Sequence, residues 1–227
     1  MITVHHLNDS RSQRVLWLLE ELELAYEIKH YQRDVKSMLA PPELQAVHPL
    51  GKSPVITDGP TKMRTTVAET GAIVEYLIER HGAGRLAPPT GSAEHLRYRY
   101  WLHFAEGSAM PPLLMKLVFD KIASAPMPFV VRPIVKMVCR KAQDAIVWPN
   151  LKRQLDFMEA ELARHRWFAG EDFSAADVML SFPLEAAASR AGLDASRPKL
   201  MAFLTRIHQR PAYQKALQRG GPYSFAD

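Results

Sequence analysis

The chain has 227 residues, of which 47% are hydrophobic and 23% charged, and these proportions exclude collagen-like, disordered and disulfide-stapled classes. Its net charge of +5 comes from cations spread along the whole chain, so we expect a solvated surface and no nucleic-acid partner. The only cysteine, Cys139, can build no internal disulfide, CxxC pair or cysteine-rich zinc site. We therefore expect a cytoplasmic location.

No transmembrane segment is predicted, because no apolar stretch approaches the roughly 18 to 20 residues that span a bilayer. The most apolar stretch, Met127 to Cys139, is interrupted by Arg132, Pro133 and Lys136. Residues 127–138 could touch a membrane surface, roof a ligand pocket or pack inside the protein. Buried packing is the preferred prediction.

The chain opens with alternating strand and helix patterns. Ile2 and Val4 alternate with polar residues, as do Tyr26 and Ile28, which predicts two short strands. Between them lies a helix that Ser10 or Ser12 can cap, with apolar residues at helical spacing: Val15, Leu18, Leu19 and Leu22. Strand, helix and strand form a βαβ unit.

A second set of elements completes the N-terminal part. Residues 48–58 read as loop, strand and turn, and Thr65 to Val67 form another strand. A helix follows, with its apolar residues at Ile73, Val74, Leu77 and Ile78. The prolines and glycine of residues 86–91 fit no regular element. We therefore predict a βαβ-ββα domain over residues 1–85, a linker over 86–91 and an all-helical domain over 92–227.

Strong local signals mark the helical domain. Long helical patterns run from Glu94 to Met110 and from Val147 to His165, with breaks or kinks predicted at Pro111 and Pro112. Near residue 174 the spacing of Ser174 and Asp177 predicts a capping box at a helix start. We assign this motif to helix initiation and not to chemistry.

Four stretches in this order resemble the soluble glutathione transferase family, and especially its serine-type bacterial and fungal members. They are residues 10–16, 51–54, 68–73 and 168–177, and residues 210–213 look like the family's C-terminal pattern. The resemblance covers essentially the whole chain. It implies a thioredoxin-like domain that binds glutathione, a helical domain that receives a small hydrophobic electrophile, and a homodimer. It also implies a transferase with glutathione as co-substrate and with no metal or redox cofactor.

The resemblance also implies how glutathione is held. The peptide bond before Pro54 would be cis, and the backbone of Ser53 would pair with the cysteinyl part of the tripeptide. Lys52 would contact the glycyl carboxylate as a point charge. Glu69 and Thr70 would receive the γ-glutamyl carboxylate at a helix N-terminus, where N–H groups are unpaired.

A thiol of pKa about 8 to 9 must lose its proton before it acts as a nucleophile. Counting back from Arg14, Ser10 falls where serine-type members keep their activating hydroxyl, and Ser12 is the nearby rival. The spacing does not separate the two. Tyrosine-type activation does not fit, because the first strand ends without a tyrosine, and cysteine-type activation does not fit, because Cys139 lies far away.

The electrophile site is predicted between the domains, with four candidate lining residues: Tyr100, His103, Phe104 and Met110. No metal site is predicted at the adjacent His5 and His6, because alternation along a strand places one in the core and one in solvent. The principal alternative function is a non-catalytic protein that carries hydrophobic ligands, or an interaction protein, on the same fold.

Overall fold

A computed structural model describes residues 1–35, 37, 39–60 and 63–225, and its N-terminal part is a mixed four-stranded sheet. The strands are β1 (Ile2–Leu7), β2 (Tyr26–Tyr31), β3 (Val55–Asp58) and β4 (Thr65–Ala68), in the order β2-β1-β3-β4. β1 and β2 are parallel, and the connection that this pairing requires contains helix α1 (Ser12–Glu21). β3 is antiparallel to both of its neighbours. With helix α2 (Thr70–His81), these elements confirm the predicted thioredoxin-like domain.

The rest of the described chain is helical, as predicted. Its helices are α3 (Ala93–Phe104), α4 (Met110–Ser124), α5 (Arg132–Ala142), α6 (Trp148–Arg164), α7 (Ala175–Arg190), α8 (Pro198–His208) and α9 (Pro211–Gly220). A π-helical turn at Ala105–Ala109 joins α3 to α4 without interruption. The prolines at 111 and 112 lie directly after this π turn, so the predicted break is a π turn in a continuous helix.

Helix α1 packs at the centre of the molecule and holds the two parts together. It contacts β1 and α2 on one side and α7 and α9 on the other, and its apolar residues Val15, Leu18 and Leu19 are fully buried. The backbone N–H of Ala175 donates to the carbonyl of Leu86 at 2.8 Å, which ties the connection after α2 to the start of α7. The domain division at residues 86–91 stays a prediction.

The capping box at the start of α7 is confirmed. The Asp177 carboxylate accepts hydrogen bonds from the backbone N–H groups of Ser174 and Phe168, each at 2.9 Å. Because the second of these bonds reaches outside the helix, the motif also anchors the loop before it. For α1, in contrast, Arg11 occupies the N-cap position and Ser12 is the first helical residue, so neither predicted serine stands at the cap.

Two further sequence predictions are wrong. His5 and His6 are both buried, because both faces of the sheet are covered at this end of β1: His5 meets Tyr31, and His6 meets the start of α1. Residues 127–138 are largely exposed and not packed inside, because only the side of α5 that carries Val135 and Cys139 turns toward the protein.

Candidate functional site

The end of β1 and the first turn of α1 form a chain of three buried hydrogen-bonding side chains. Ser12 Oγ lies 2.8 Å from His6 Nδ1 and 2.7 Å from Ser10 Oγ. Ser10 Oγ also accepts from the backbone N–H of Ser12 at 3.2 Å. Ser12 is 0% exposed and Ser10 is 5% exposed, so Ser10 lies at the outer end of this chain.

The histidines of β1 are held neutral at physiological pH. Burial, together with the nearby His30, lowers the pKa of His6 to about 4. Burial likewise lowers the pKa of His5 to about 4, helped by Lys29 and Arg64. A neutral imidazole has one donor and one acceptor nitrogen. His6 can therefore either donate to the Ser12 hydroxyl or accept from it.

The loop before β3 is fixed to the same end of β1. The Ser53 hydroxyl donates to the carbonyl of His5 at 2.9 Å, and the peptide bond between Ser53 and Pro54 is cis, as the resemblance implied. Pro54 is buried, whereas Lys52 is exposed and makes no ion pair with any described residue. The cation is therefore available to a ligand beside the loop.

A strained residue introduces α2. Glu69 is exposed and adopts φ 70° and ψ 127°, a backbone conformation that costs a non-glycine residue about 1 to 3 kcal/mol. Thr70, the first residue of α2, is buried. Strain of this kind persists where the surrounding structure imposes it, and the start of α2 supplies unpaired N–H groups suited to an anion.

The buried side chain of Arg14 links α1 to α2 and to the helical domain. Its pairing with Glu106 was not predicted from the sequence. The Arg14 guanidinium is 1% exposed, donates to the carbonyl of Met179 at 2.6 Å and lies 3.4 Å from Thr70 Oγ1. It pairs with Glu106 at 2.5 Å, and Arg11 pairs with the same carboxylate at 3.0 Å. These arginines hold the pKa of Glu106 below its ordinary value against the effect of burial. Glu106 lies 92 positions from Arg14, so no local pattern could have linked them.

The four candidate electrophile residues lie in two different places. Tyr100 stacks on Phe104 at 5.7 Å between ring centroids and is half-exposed beside Phe157 of α6, and His103 is exposed as well. Met110 is instead buried in a cluster with Phe182, whose ring lies 5.4 Å from the Arg14 guanidinium carbon. Met110 is thus connected to α1 through Phe182 and Arg14.

The segment after α9 lies against the loop between β1 and α1, which carries Ser10. Ser224 donates from both its backbone N–H and its hydroxyl to Asp9 Oδ1, each at 2.8 Å. Tyr223 donates to the buried carboxylate of Glu185 at 2.6 Å. The loop that carries Ser10 is thus held from the C-terminal side as well as by β1.

Within residues 1–35, 37, 39–60 and 63–225, no group of three or more His, Cys, Asp or Glu residues could hold a metal ion. In the same ranges, no helix has both the length and the apolar character needed to cross a membrane.

Comparisons with known proteins agree with this geometry. Residues 1–79 match the family described as "Glutathione S-transferase, N-terminal domain", and residues 118–211 match "Glutathione S-transferase, C-terminal domain". Glutathione S-transferase 1 of Saccharomyces cerevisiae is 35% identical over 84% of this chain and 82% of its own length.

Solved structures of glutathione S-transferases are also similar to this chain. A glutathione S-transferase from Actinobacillus pleuropneumoniae is 31% identical with a TM-score of 0.81, covering 100% of this chain and 96% of its own. A sphingomonad glutathione S-transferase solved in complex with glutathione is 25% identical with a TM-score of 0.71, covering 96% of this chain and 98% of its own.

Proposed function

This chain belongs to the glutathione S-transferase family and is a glutathione transferase, and on that premise we propose that Ser10 stabilises the thiolate of bound glutathione. The observation that carries the proposal is the hydrogen-bonded chain of His6, Ser12 and Ser10 at the start of α1. The thiolate then attacks a small hydrophobic electrophile, or a peroxide, beside α1.

The burial of the two serines supports Ser10 over Ser12. The Ser12 hydroxyl already contacts Ser10, His6 and the carbonyl of Leu7, and it is fully enclosed. A hydroxyl has one proton and two acceptor positions, so these neighbours saturate it. Ser10 is 5% exposed and stands at the end of the chain away from His6, so we assign the contact with the ligand sulfur to its hydroxyl.

The remaining members of the chain position the Ser10 proton. In the proposed glutathione-bound arrangement, the backbone N–H of Ser12 donates to Ser10 Oγ, and Ser10 O–H donates to the sulfur. Ser12 Oγ stays within hydrogen-bond distance of both His6 Nδ1 and Ser10 Oγ. Hydrogen bonds in such a chain polarise one another, and a donor aimed at sulfur favours the charged thiolate. The N-terminal end of α1 adds its positive dipole. Because His6 is uncharged near neutral pH, it orients the chain and does not itself supply charge.

The ends of the tripeptide take the anion-binding positions of the cleft. The N-terminus of α2 and the Thr70 hydroxyl receive the γ-glutamyl carboxylate beside Glu69, and Lys52 meets the glycyl carboxylate. Arg14 donates to Thr70 Oγ1 at 3.4 Å, which leaves the Thr70 hydroxyl proton for the carboxylate. The backbone of Ser53 pairs with the cysteinyl residue between them.

In the proposed reaction the thiolate forms a sulfur–carbon bond to the electrophile as the leaving group departs with the bonding electrons. With a peroxide, sulfur attacks one oxygen, the O–O bond breaks and the departing alkoxide takes up a proton, and the thiol of a second glutathione then displaces water from the oxidised sulfur to form the disulfide. Met110 and Phe182 form the proposed apolar wall for the electrophile, because their cluster reaches Arg14.

Kinetics of two serine variants test the assignment. We expect Ser10→Ala to lower kcat/KM for a chromogenic electrophile by about 100- to 1,000-fold, as loss of one preorganised donor does, and to move the pH profile upward. Ser12→Ala should have the smaller effect. Ser224→Ala, which removes a hydroxyl bonded to the same loop, serves as the control. If Ser10→Ala leaves rate and pH profile unchanged while Ser12→Ala abolishes activity, the assignment is wrong.

A homodimer and a cytoplasmic location complete the proposal. The half-exposed aromatic rings of Tyr100 and Phe157 offer an apolar surface of the kind that subunits bury. Tyr100→Glu should halve the mass measured by light scattering, whereas an unchanged mass would contradict a contact at this surface. The lone Cys139 fits a reducing compartment.

A further inference from the structure

The connection between α4 and α5 and the outer side of α5 carry a large exposed apolar surface, which we call the hairpin segment (residues 127–142). Phe129 is 86% exposed and Ile134 is 59% exposed. Further apolar side chains that are at least two-fifths exposed adjoin them: Val130, Val131, Met137 and Val138. Monomeric proteins rarely leave such a contiguous apolar patch in water, so a partner is implied.

The charges around this patch have one sign. Between Asp120 and Asp144 every charged residue is a cation, namely Lys121, Arg132, Lys136, Arg140 and Lys141. Within the described residues Arg132, Lys136 and Lys141 take part in no ion pair, and Arg140 reaches Asp144 only at 3.8 Å with both side chains exposed. These cations are therefore not used in folding.

Three of the four cations of α5 occupy a different side from its exposed apolar residues, and Lys141, three residues after Val138, lies at the C-terminal end of the apolar side. Ile134, Met137 and Val138 are spaced by three and four residues, so they share one side of the helix. Arg132, Lys136 and Arg140 are spaced by four and follow another side, while Val135 and Cys139 turn toward the protein. A helix with an apolar side, a basic side and an exposed phenylalanine at its start has the composition of helices that lie in a membrane interface.

We propose that the hairpin segment binds the surface of a bilayer containing anionic phospholipid. The apolar side chains of residues 129–138 enter the boundary between headgroups and acyl chains, and the unpaired cations face the lipid phosphates. Each Lys or Arg near an anionic surface adds about 1 kcal/mol of attraction. The binding is peripheral and reversible, since only one helical side and a short connection enter the lipid.

A second copy of this chain is the less suitable occupant of the same surface. A two-fold interface places a patch against itself. Here that would bring the cations of one copy against those of the other, with no carboxylate in residues 121–143 to compensate. A lipid surface supplies both the apolar environment and the opposite charge.

Co-sedimentation of the full chain with vesicles tests the proposal. We expect binding to phosphatidylcholine vesicles that contain phosphatidylglycerol, weaker binding to phosphatidylcholine alone, and release at high salt. The double variant Phe129→Asp/Ile134→Asp and the double variant Arg132→Glu/Lys136→Glu should each lower the partition coefficient by about tenfold or more.

Matched variants elsewhere on the surface provide the controls. Val35→Asp introduces the same carboxylate at an apolar residue of the first domain that is 90% exposed, and Arg153→Glu/Lys199→Glu makes the same change of charge on α6 and α8. Both controls should bind vesicles like the wild type. The charge variant replaces exposed residues that form no ion pair with any described residue, so it should remain folded even if the apolar variant does not.

Three results would overturn the proposal. They are no binding of the wild type to phosphatidylglycerol vesicles, equal loss in the control and hairpin variants, and unchanged vesicle binding in both hairpin variants. A fall in molecular mass of the hairpin variants without any vesicle binding by the wild type would assign the surface to a second copy instead.

Discussion

The start of α1 buries polar side chains, whereas the hairpin segment exposes apolar side chains. At α1, Ser12 and the Arg14 guanidinium are almost fully enclosed, and each has hydrogen-bonding partners. In the hairpin segment, Phe129 is exposed and Arg132 and Lys136 have no ion-pair partner among the described residues. Burying polar groups costs free energy unless they are paired, whereas exposing apolar groups costs free energy unless something covers them.

The paired side chains at α1 stabilise the folded chain, whereas the exposed side chains of the hairpin segment are available to a partner. Ser12 and Arg14 make their hydrogen bonds within the folded chain, whether or not a ligand is present. The hairpin segment contributes little to the fold. Variants in the two regions should therefore affect different measurements.

The largest effect on stability should come from Glu106→Ala. It removes the carboxylate that pairs with Arg14 and Arg11 and leaves the guanidinium of Arg14 buried with its charge uncompensated. Losing one partner of a buried ion pair costs about 3 to 5 kcal/mol, measurable as a lower free energy of unfolding in urea. Glu171→Ala, at an exposed glutamate 3.8 Å from His165, should change the same quantity by less than about 0.5 kcal/mol. Equal effects of the two variants would contradict the role given to Glu106.

The two buried histidines of β1 should make the fold sensitive to mild acid. The pKa values of His5 and His6 are lowered from 6.5 to about 4 in the folded protein. The unfolded chain therefore binds more protons between these values, so the free energy of unfolding falls as pH drops from 6.5 to 4. Each histidine accounts for about 3 kcal/mol of this loss. A proton NMR titration that finds both imidazoles protonating above pH 6 would contradict their burial.

Local patterns in the sequence predicted the parts of this structure that depend on neighbours along the chain. The spacing of Val15, Leu18 and Leu19 predicted the helix α1, and Ser174 with Asp177 predicted the start of α7, because periodicity and capping act within a few residues. The glutathione-binding positions came from the resemblance, and the structure gathers Ser53 and Thr70 around the end of β1 and the start of α1.

Features that depend on distant contacts were not predictable. Strand alternation placed one of the two adjacent histidines in solvent, but it carries no information on whether both faces of a sheet are covered. Ser10 and Ser12 are only two residues apart, so the contact of Ser12 with His6 and the difference in burial are what separate them. Similarly, the apolar composition of residues 127–138 predicted that these side chains are covered. Composition alone could not show whether the covering surface belongs to the protein itself.

The smallest effect on stability should come from the hairpin segment. Phe129→Ser removes a large apolar side chain that packs against little in the folded chain, so the free energy of unfolding should change by less than about 0.5 kcal/mol. Leu18→Ala, at a fully buried residue of α1, should cost about 2 to 5 kcal/mol in the same urea titration. A large loss of stability in Phe129→Ser would show that the segment packs inside the protein.

The pKa of the thiol of enzyme-bound glutathione tests the central claim most directly. It is measured from the ultraviolet absorbance of the thiolate during a pH titration of the complex. We predict a value below the ordinary thiol pKa in the wild type, and a rise of about 1 to 2 pKa units in Ser10→Ala, corresponding to about 1.4 kcal/mol of lost thiolate stabilisation per unit. An unchanged pKa in Ser10→Ala with glutathione still bound would contradict the account.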